Sequence, residues 1–318
     1  MSSDAPPGRV PRPGIWVPAV TFFDRQTDTL DLISQSKYYT YLSQTGLAGL
    51  VILGTNAETF LLTREERRTL IETARAAVGP NFPLMAGVGG HSTRQVKEYI
   101  ADAEAAGANY VLTLPPAYFG KATTPAVIKD FYMEVSRASS LPTVLYNFPG
   151  VCNGVDMDSD LIIDITSSAS KVVGVKLTCG SVAKITRLVA TFAPDEFAVF
   201  GGQSDFLIGG LSVGAVGCIA AFGNVFPKSI VRVFDLYKAG KFDEALALHR
   251  KAALAEVPCK AGIGVTKYAA AIHTARRAGI EGAEEKLWPR KPYPPPSEEQ
   301  KERVRKVMDR MNDIEETL

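Results

Sequence analysis

Val172-Val173-Gly174-Val175-Lys176-Leu177 is a run of apolar, mostly β-branched residues broken by one lysine. Such a run suits a parallel strand covered on both faces better than the apolar/polar alternation of a half-exposed strand. Alternation along it turns Lys176 to the same face as Gly174 and Val172, which in a closed sheet would be the interior. An ammonium there is costly, because a low dielectric favours the neutral amine, and a neutral amine adds to carbonyl groups. On spacing alone a strand-end lysine paired with a carboxylate is the commoner arrangement, so the neighbours of Lys176 must decide between the two.

Similar short apolar runs occupy residues 15–22, 47–53, 83–88, 110–114, 142–146, 198–200 and 216–220, which with 172–177 makes eight candidate strands. Helical patterns with start signals lie between them. Thr63 and Glu66 form a capping box, Ser92 precedes an Ile100/Ala103/Ala106 face, and Pro125 opens residues 126–138. Regular strand–helix alternation favours a (β/α)8 TIM barrel over an open doubly wound sheet. Four further helical patterns follow, at 227–239, 243–257, 262–279 and 297–316, and the last is reached through the proline-rich residues 288–296. The expected organisation is therefore a flexible N-terminal arm at 1–13, a barrel at 14–223 and C-terminal helices packed on it at 224–318.

With 318 residues, 46% hydrophobic and 22% charged, the chain can bury a large core. A formal net charge of +1 gives no electrostatic drive towards nucleic acid or an anionic membrane, so a small-molecule partner is expected. No stretch reaches the ~20 apolar residues of a membrane span. Cys152, Cys179, Cys218 and Cys259 are widely spaced, form no CxxC pair and read as reduced thiols. A cytoplasmic location is expected, since Asp4 and the prolines before residue 12 suit an amphipathic transit helix poorly despite Arg9 and Arg12.

A barrel carries its active site at the C-terminal ends of its strands. There the sequence reads Gly54-Thr55-Asn56-Ala57-Glu58-Thr59, Tyr146-Asn147-Phe148-Pro149-Gly150, Lys176-Leu177-Thr178 and Gly201-Gly202-Gln203-Ser204. Tyr146 ends the strand before that of Lys176, where its phenol can pass protons to and from a carbinolamine; a packing tyrosine is the plainer alternative. Thr55 and Asn56 follow a glycine at a strand-to-loop corner, where backbone N–H groups suit a carboxylate; a simple turn is the plainer alternative.

These motifs, with Gly217-Cys218-Ile219, occur in the order and approximate spacing of the dihydrodipicolinate synthase/N-acetylneuraminate lyase family of pyruvate-dependent class I aldolases, which the chain resembles from about residue 14 to 279. The resemblance implies that Lys176 forms a Schiff base with a 2-oxo acid and that Tyr146 shuttles protons. It implies that Thr55 links Tyr146 to a tyrosine lent by another subunit, for which Tyr118 is the candidate. The Thr55 and Asn56 backbone would hold the pyruvate carboxylate, Gly202 and the Ile219 carbonyl would line the site, and the assembly would be a homotetramer built as a dimer of dimers.

Two departures bear on substrate. Dihydrodipicolinate synthases carry a second threonine where this chain has Asn56, and an arginine that Gly150-Val151-Cys152-Asn153-Gly154 does not supply. Without that guanidinium, condensation of pyruvate with aspartate semialdehyde is the weaker reading. Cleavage of a 2-keto-3-deoxy acid or of 4-hydroxy-2-oxoglutarate to pyruvate and an aldehyde is the stronger. The phrases at 114–118 and 146–150 most resemble aldolases acting on 2-keto-3-deoxy-L-galactonate.

No cofactor is expected. A zinc aldolase would need converging histidines, and the chain has only His91, His249 and His273, two of them in the C-terminal helical region. The glycines around His91 match no phosphate-loop pattern and read as a tight corner. A non-catalytic 2-oxo acid sensor is the remaining alternative, and it would need neither nucleophile nor proton relay.

Overall fold

The computed structural model describes residues 6–318. Eight parallel strands close into a barrel: β1 (Gly14–Pro18), β2 (Gly49–Ile52), β3 (Leu84–Gly87), β4 (Tyr110–Thr113), β5 (Thr143–Asn147), β6 (Val172–Leu177), β7 (Ala198–Gly201) and β8 (Gly217–Ile219). Each strand pairs with its sequence neighbours, and β8 closes on β1. Between and after them run α1 (Leu32–Ser43), α2 (Arg64–Val78), α3 (Thr93–Ala105), α4 (Pro125–Ala138), α5 (Ser159–Ser168), α6 (Val182–Thr191), α7 (Leu207–Ser212) and α8 (Pro227–Lys238). The fold is a (β/α)8 TIM barrel.

The local signals act as expected. Thr63 and Glu66 cap α2 reciprocally, the Ser92 side chain accepts from the Gln95 N–H at the start of α3, and Pro125 occupies the first turn of α4. Apolar side chains on the outer faces of the strands meet the helices in the main core, while Trp16, Val51, Met85, Tyr110, Val144 and Phe200 fill the barrel interior.

Three details depart from the sequence expectation. The first strand stops at Pro18 rather than residue 22, because the N–H groups of Val20 and Phe22 donate to the side chains of Asn224 and Gln35 instead of to a neighbouring strand. Val172 belongs to the outer core and Val173 to the interior. A register shift against β5 at this point reverses the phase of alternation before Gly174. The ring of eight helices is completed by α8, which packs on β1, so residues beyond 223 belong to the barrel as well as to the helices that follow it.

Beyond the barrel lie α9 (Phe242–Glu256), α10 (Ile263–Ala270), a π-helical turn at Ala271–Ala275, the short α11 (Ala283–Lys286) and α12 (Glu298–Thr317). Of the arm expected at 1–13, residues 1–5 lie outside the described residues. Its remainder is tied across the N-terminal end of the barrel. Arg9 donates to the Ser170 carbonyl at 2.8 Å, Arg12 to the Ala48 carbonyl at 2.8 Å, and the Tyr110 hydroxyl to the Gly8 carbonyl at 2.6 Å. Among the described residues no helix is long and apolar enough to cross a membrane.

Candidate active site

Lys176 is one residue from the C-terminal end of β6, in register with Tyr146 of β5 on one side and Phe200 of β7 on the other. Its side chain points into the barrel mouth and is 2% exposed, with Nζ 4.1 Å from the centre of the Tyr146 ring. The Tyr146 hydroxyl lies 3.4 Å from the Thr55 hydroxyl, across the barrel. The other deeply buried lysines, Lys184 and Lys267, are ion-paired with Asp156 and Glu58. Lys176 forms no ion pair with any described residue.

These groups share a cavity of about 270 Å³, which Thr55, Asn56, Tyr146, Lys176 and Gly202 all line. Thr55 and Asn56 open the 3-10 turn Thr55–Ala57, where the first N–H groups have no partner within the turn. Two non-glycine residues with left-handed backbones, Leu53 at φ 66° and Glu58 at φ 57°, bracket that corner. Backbone strain of this kind persists only where surrounding structure enforces it. The enforcement is visible: Glu58 Oε1 accepts from the Arg290 N–H at 2.8 Å, Glu58 Oε2 pairs with Lys267, and the Leu53 carbonyl passes so close to Gly87 that a Cβ there would sit 1.9 Å from it. Gly202 is under a similar constraint, since a Cβ would lie 2.0 Å from the Thr178 hydroxyl.

Two expected site residues stand differently. The Ile219 side chain is fully buried among interior side chains, and the expectation concerned its backbone carbonyl, at the C-terminal end of β8. Tyr118 is 73% exposed on the loop after β4, beside His91 and Phe119, and does not line the cavity.

The far wall was legible beforehand only in its strand-end residues. Thr178 and Gln203 follow β6 and β7, whereas Glu256, Cys259, Lys260 and Thr266 come from α9, α10 and the turn between them. Burial pushes the Cys259 thiol up to about 12, so it stays protonated and is no rival nucleophile. Burial also raises the Glu256 carboxyl above its ordinary range, despite the nearby Lys260. Among the described residues no cluster of three or more His, Cys, Asp or Glu side chains is placed to hold a metal ion.

Known proteins match this architecture end to end. The profile of the Dihydrodipicolinate synthetase family matches residues 12–311. A Coccidioides immitis (strain RS) protein, provisionally named a mitochondrial 4-hydroxy-2-oxoglutarate aldolase, is 71% identical over 98% of this chain and 99% of its own. An L-threo-3-deoxy-hexylosonate aldolase of Aspergillus niger is 36% identical over 96% of this chain and 97% of its own. A crystal structure of a dihydrodipicolinate synthase family protein from Coccidioides immitis superposes with a TM-score of 0.93 at 67% identity, covering 98% and 99% of the two chains. The mitochondrial name of the first relative overturns the expectation of a cytoplasmic protein. Arg9 and Arg12, the residues weighed for an organellar address, are engaged in hydrogen bonds under the barrel, and the prolines and Asp4 weighed against such an address did not decide the matter. By profile, sequence and fold together, this chain belongs to the dihydrodipicolinate synthetase family.

Proposed function

We propose that the protein is a Schiff-base aldolase that cleaves a 2-keto-3-deoxy acid to pyruvate and an aldehyde, and that it works in the mitochondrion. The observation that carries the reading is a buried lysine with no counter-ion among the described residues, set against a tyrosine that reaches a threonine across the barrel. The relatives' names, 4-hydroxy-2-oxoglutarate aldolase and L-threo-3-deoxy-hexylosonate aldolase, point to the same bond cleavage. The mitochondrial names of the Coccidioides immitis and Emericella nidulans relatives support the location.

In this reading the Lys176 amine adds to the C2 carbonyl and water leaves, forming a protonated imine. The substrate carboxylate rests on the N–H groups of Thr55 and Asn56, with Gly202 leaving room beside the reacting carbon. Tyr146 takes the proton of the C4 hydroxyl, the C3–C4 bond breaks, and its electron pair enters the iminium to give an enamine as the aldehyde departs. Tyr146 returns the proton to C3, and water then hydrolyses the imine to free pyruvate and Lys176. Thr55 continues the proton path outward. The exposed Tyr118, with Phe119 and Phe60, suits contact with a second copy in a homotetramer, where it would extend that path.

Among the described residues no arginine lines the cavity, which leaves condensation with aspartate semialdehyde the weaker alternative. Pyruvate release from a 2-keto-3-deoxy acid, followed by a coupled lactate dehydrogenase assay, is expected to be much faster than that condensation. The reverse ratio would return the protein to the synthase reading.

A further inference from the structure

The Thr55–Asn56 corner is held by more than the barrel. It closes on Glu58, whose left-handed backbone ends the Thr55–Ala57 turn and starts the next, Thr59–Leu61, before Thr63 caps α2. One residue from far along the chain spans this stretch. Arg290 stands among residues 288–296, between α11 and α12, where five prolines stiffen the backbone. Its N–H donates to Glu58 Oε1 at 2.8 Å, and Nη1 donates to the Leu61 carbonyl at 3.1 Å. Nη1 and Nη2 also grip the two Glu66 carboxylate oxygens at 2.6 and 2.9 Å, and Nη2 donates to the Asp28 carbonyl at 2.8 Å, between β1 and α1.

The grip is sheltered, since the side chains of Arg290 and Glu66 are 12% and 18% exposed. Burial would raise the Glu66 carboxyl, but hydrogen bonds from Arg290 and from the Thr63 N–H more than offset this and hold it below its ordinary range. The carboxylate that completes the cap of α2 is therefore the one the guanidinium holds. A planar fork that meets a carboxylate with two parallel bonds and reaches two carbonyls besides is a geometry lysine does not reproduce. The same segment is tied a second time, because Lys267 Nζ donates to the Trp288 carbonyl at 3.1 Å as well as to Glu58. Arg290, Glu58, Leu61, Glu66 and Asp28 all lie outside the cavity lining, so whatever Arg290 does for a substrate it does through the corner. Donors held in place beforehand bind more tightly than donors that must be ordered at each binding event.

We propose that Arg290 is a positioning residue for the substrate carboxylate: by fixing Glu58, Leu61 and Glu66 together it holds the Thr55 and Asn56 N–H groups in place, and the C-terminal segment thereby contributes to binding a 2-oxo acid without reaching it. The inference rests on the aldolase reading and adds to it a residue outside the cavity.

The test follows borohydride trapping of pyruvate on Lys176 as the pyruvate concentration is varied. In Arg290→Met the half-saturating concentration is expected to rise about tenfold, since small misplacements of a binding group carry penalties of up to about 10²-fold. The rate at saturation should stay within about threefold of the wild type, because Lys176 and Tyr146 stand on β6 and β5 and keep their places. Arg290→Lys restores a charge opposite Glu66 but not the fork; its expected rise is about threefold, and it gives the reading should the methionine variant fail to fold. Arg64→Met removes ion pairs from the same helix to Glu98 and Asp102, and is expected to leave half-saturation within about twofold. Half-saturation unmoved in a folded Arg290 variant, a loss confined to the saturated rate, or an equal rise in Arg64→Met would overturn the proposal. No adduct in the wild-type chain at any pyruvate concentration would instead defeat the aldolase reading beneath it.

Discussion

Lys176 and Lys267 lie in the same molecule, 2% and 0% exposed, yet their surroundings differ in kind. Lys267 Nζ donates to Glu58 Oε2 at 2.5 Å and to the Trp288 carbonyl at 3.1 Å, so its charge is met on two sides. Lys176 meets the face of Tyr146 and an open cavity. Burial pulls the Lys267 pKa down while Glu58 opposes the shift, which marks a cation tied into the fold. Burial of a lysine therefore says little by itself. The partner decides whether the amine is committed to structure or left for a substrate, and here the committed lysine supports the free one, because Glu58 ends the corner that carries Thr55 and Asn56.

The contrast can be broken most severely at Lys176. Replacement by methionine is expected to lower turnover by more than about 10⁴-fold, as loss of a covalent nucleophile does, while leaving the melting temperature unchanged or higher because no ion pair is lost. A variant that melts well below the wild type would mean that Lys176 is structural after all. Tyr146→Phe comes next, with kcat reduced by about 10²–10⁴-fold, the range for removing a general acid–base, and stability within about 1 kcal/mol in urea unfolding. Lys267→Met inverts the pattern. It leaves Glu58 buried without its cation, so unfolding free energy should fall by about 3–5 kcal/mol. In any folded fraction KM should rise more than kcat falls, because the carboxylate corner loosens; a kcat effect as large as that of Lys176→Met would erase the distinction.

A smaller version of the same contrast concerns His273, which packs against Phe226 with its Nε2 buried and unpartnered and its Nδ1 2.9 Å from Asn312 Oδ1. Burial pushes its pKa down to about 4 from an ordinary 6.5. The folded state thus holds the imidazole neutral where the unfolded chain binds a proton. Its contribution is fully present above pH 6.5 and is lost as pH falls towards 4. Urea midpoints measured across that window should decline, and His273→Phe should flatten the decline; an unchanged slope would assign the acid sensitivity to other groups.

Much of this was legible in the sequence for identifiable reasons. Strands covered on both faces leave uninterrupted apolar runs, and caps such as Thr63–Glu66 and Pro125 act within one turn, so the alternation of strands and helices could be read directly. Strand ends flag the barrel mouth, which is how Lys176, Tyr146, Thr55, Asn56 and Gly202 came together. The reversal of phase at Val172 and Val173 was hidden, because a bulge depends on the register of the partner strand. Glu256 and Lys260 were hidden for a different reason. They sit in ordinary amphipathic surroundings and reach the cavity only through the packing of α9 and the turn after it.

The central claim is that Lys176 is the free amine of the pair and forms an imine with pyruvate. Incubating the protein with pyruvate and borohydride, then mapping the reduced adduct by peptide mass spectrometry, tests it directly. The account predicts one adduct, on the peptide containing Lys176 and absent from Lys176→Ala, with Lys267 unmodified. No adduct, or one that persists in Lys176→Ala, would contradict it.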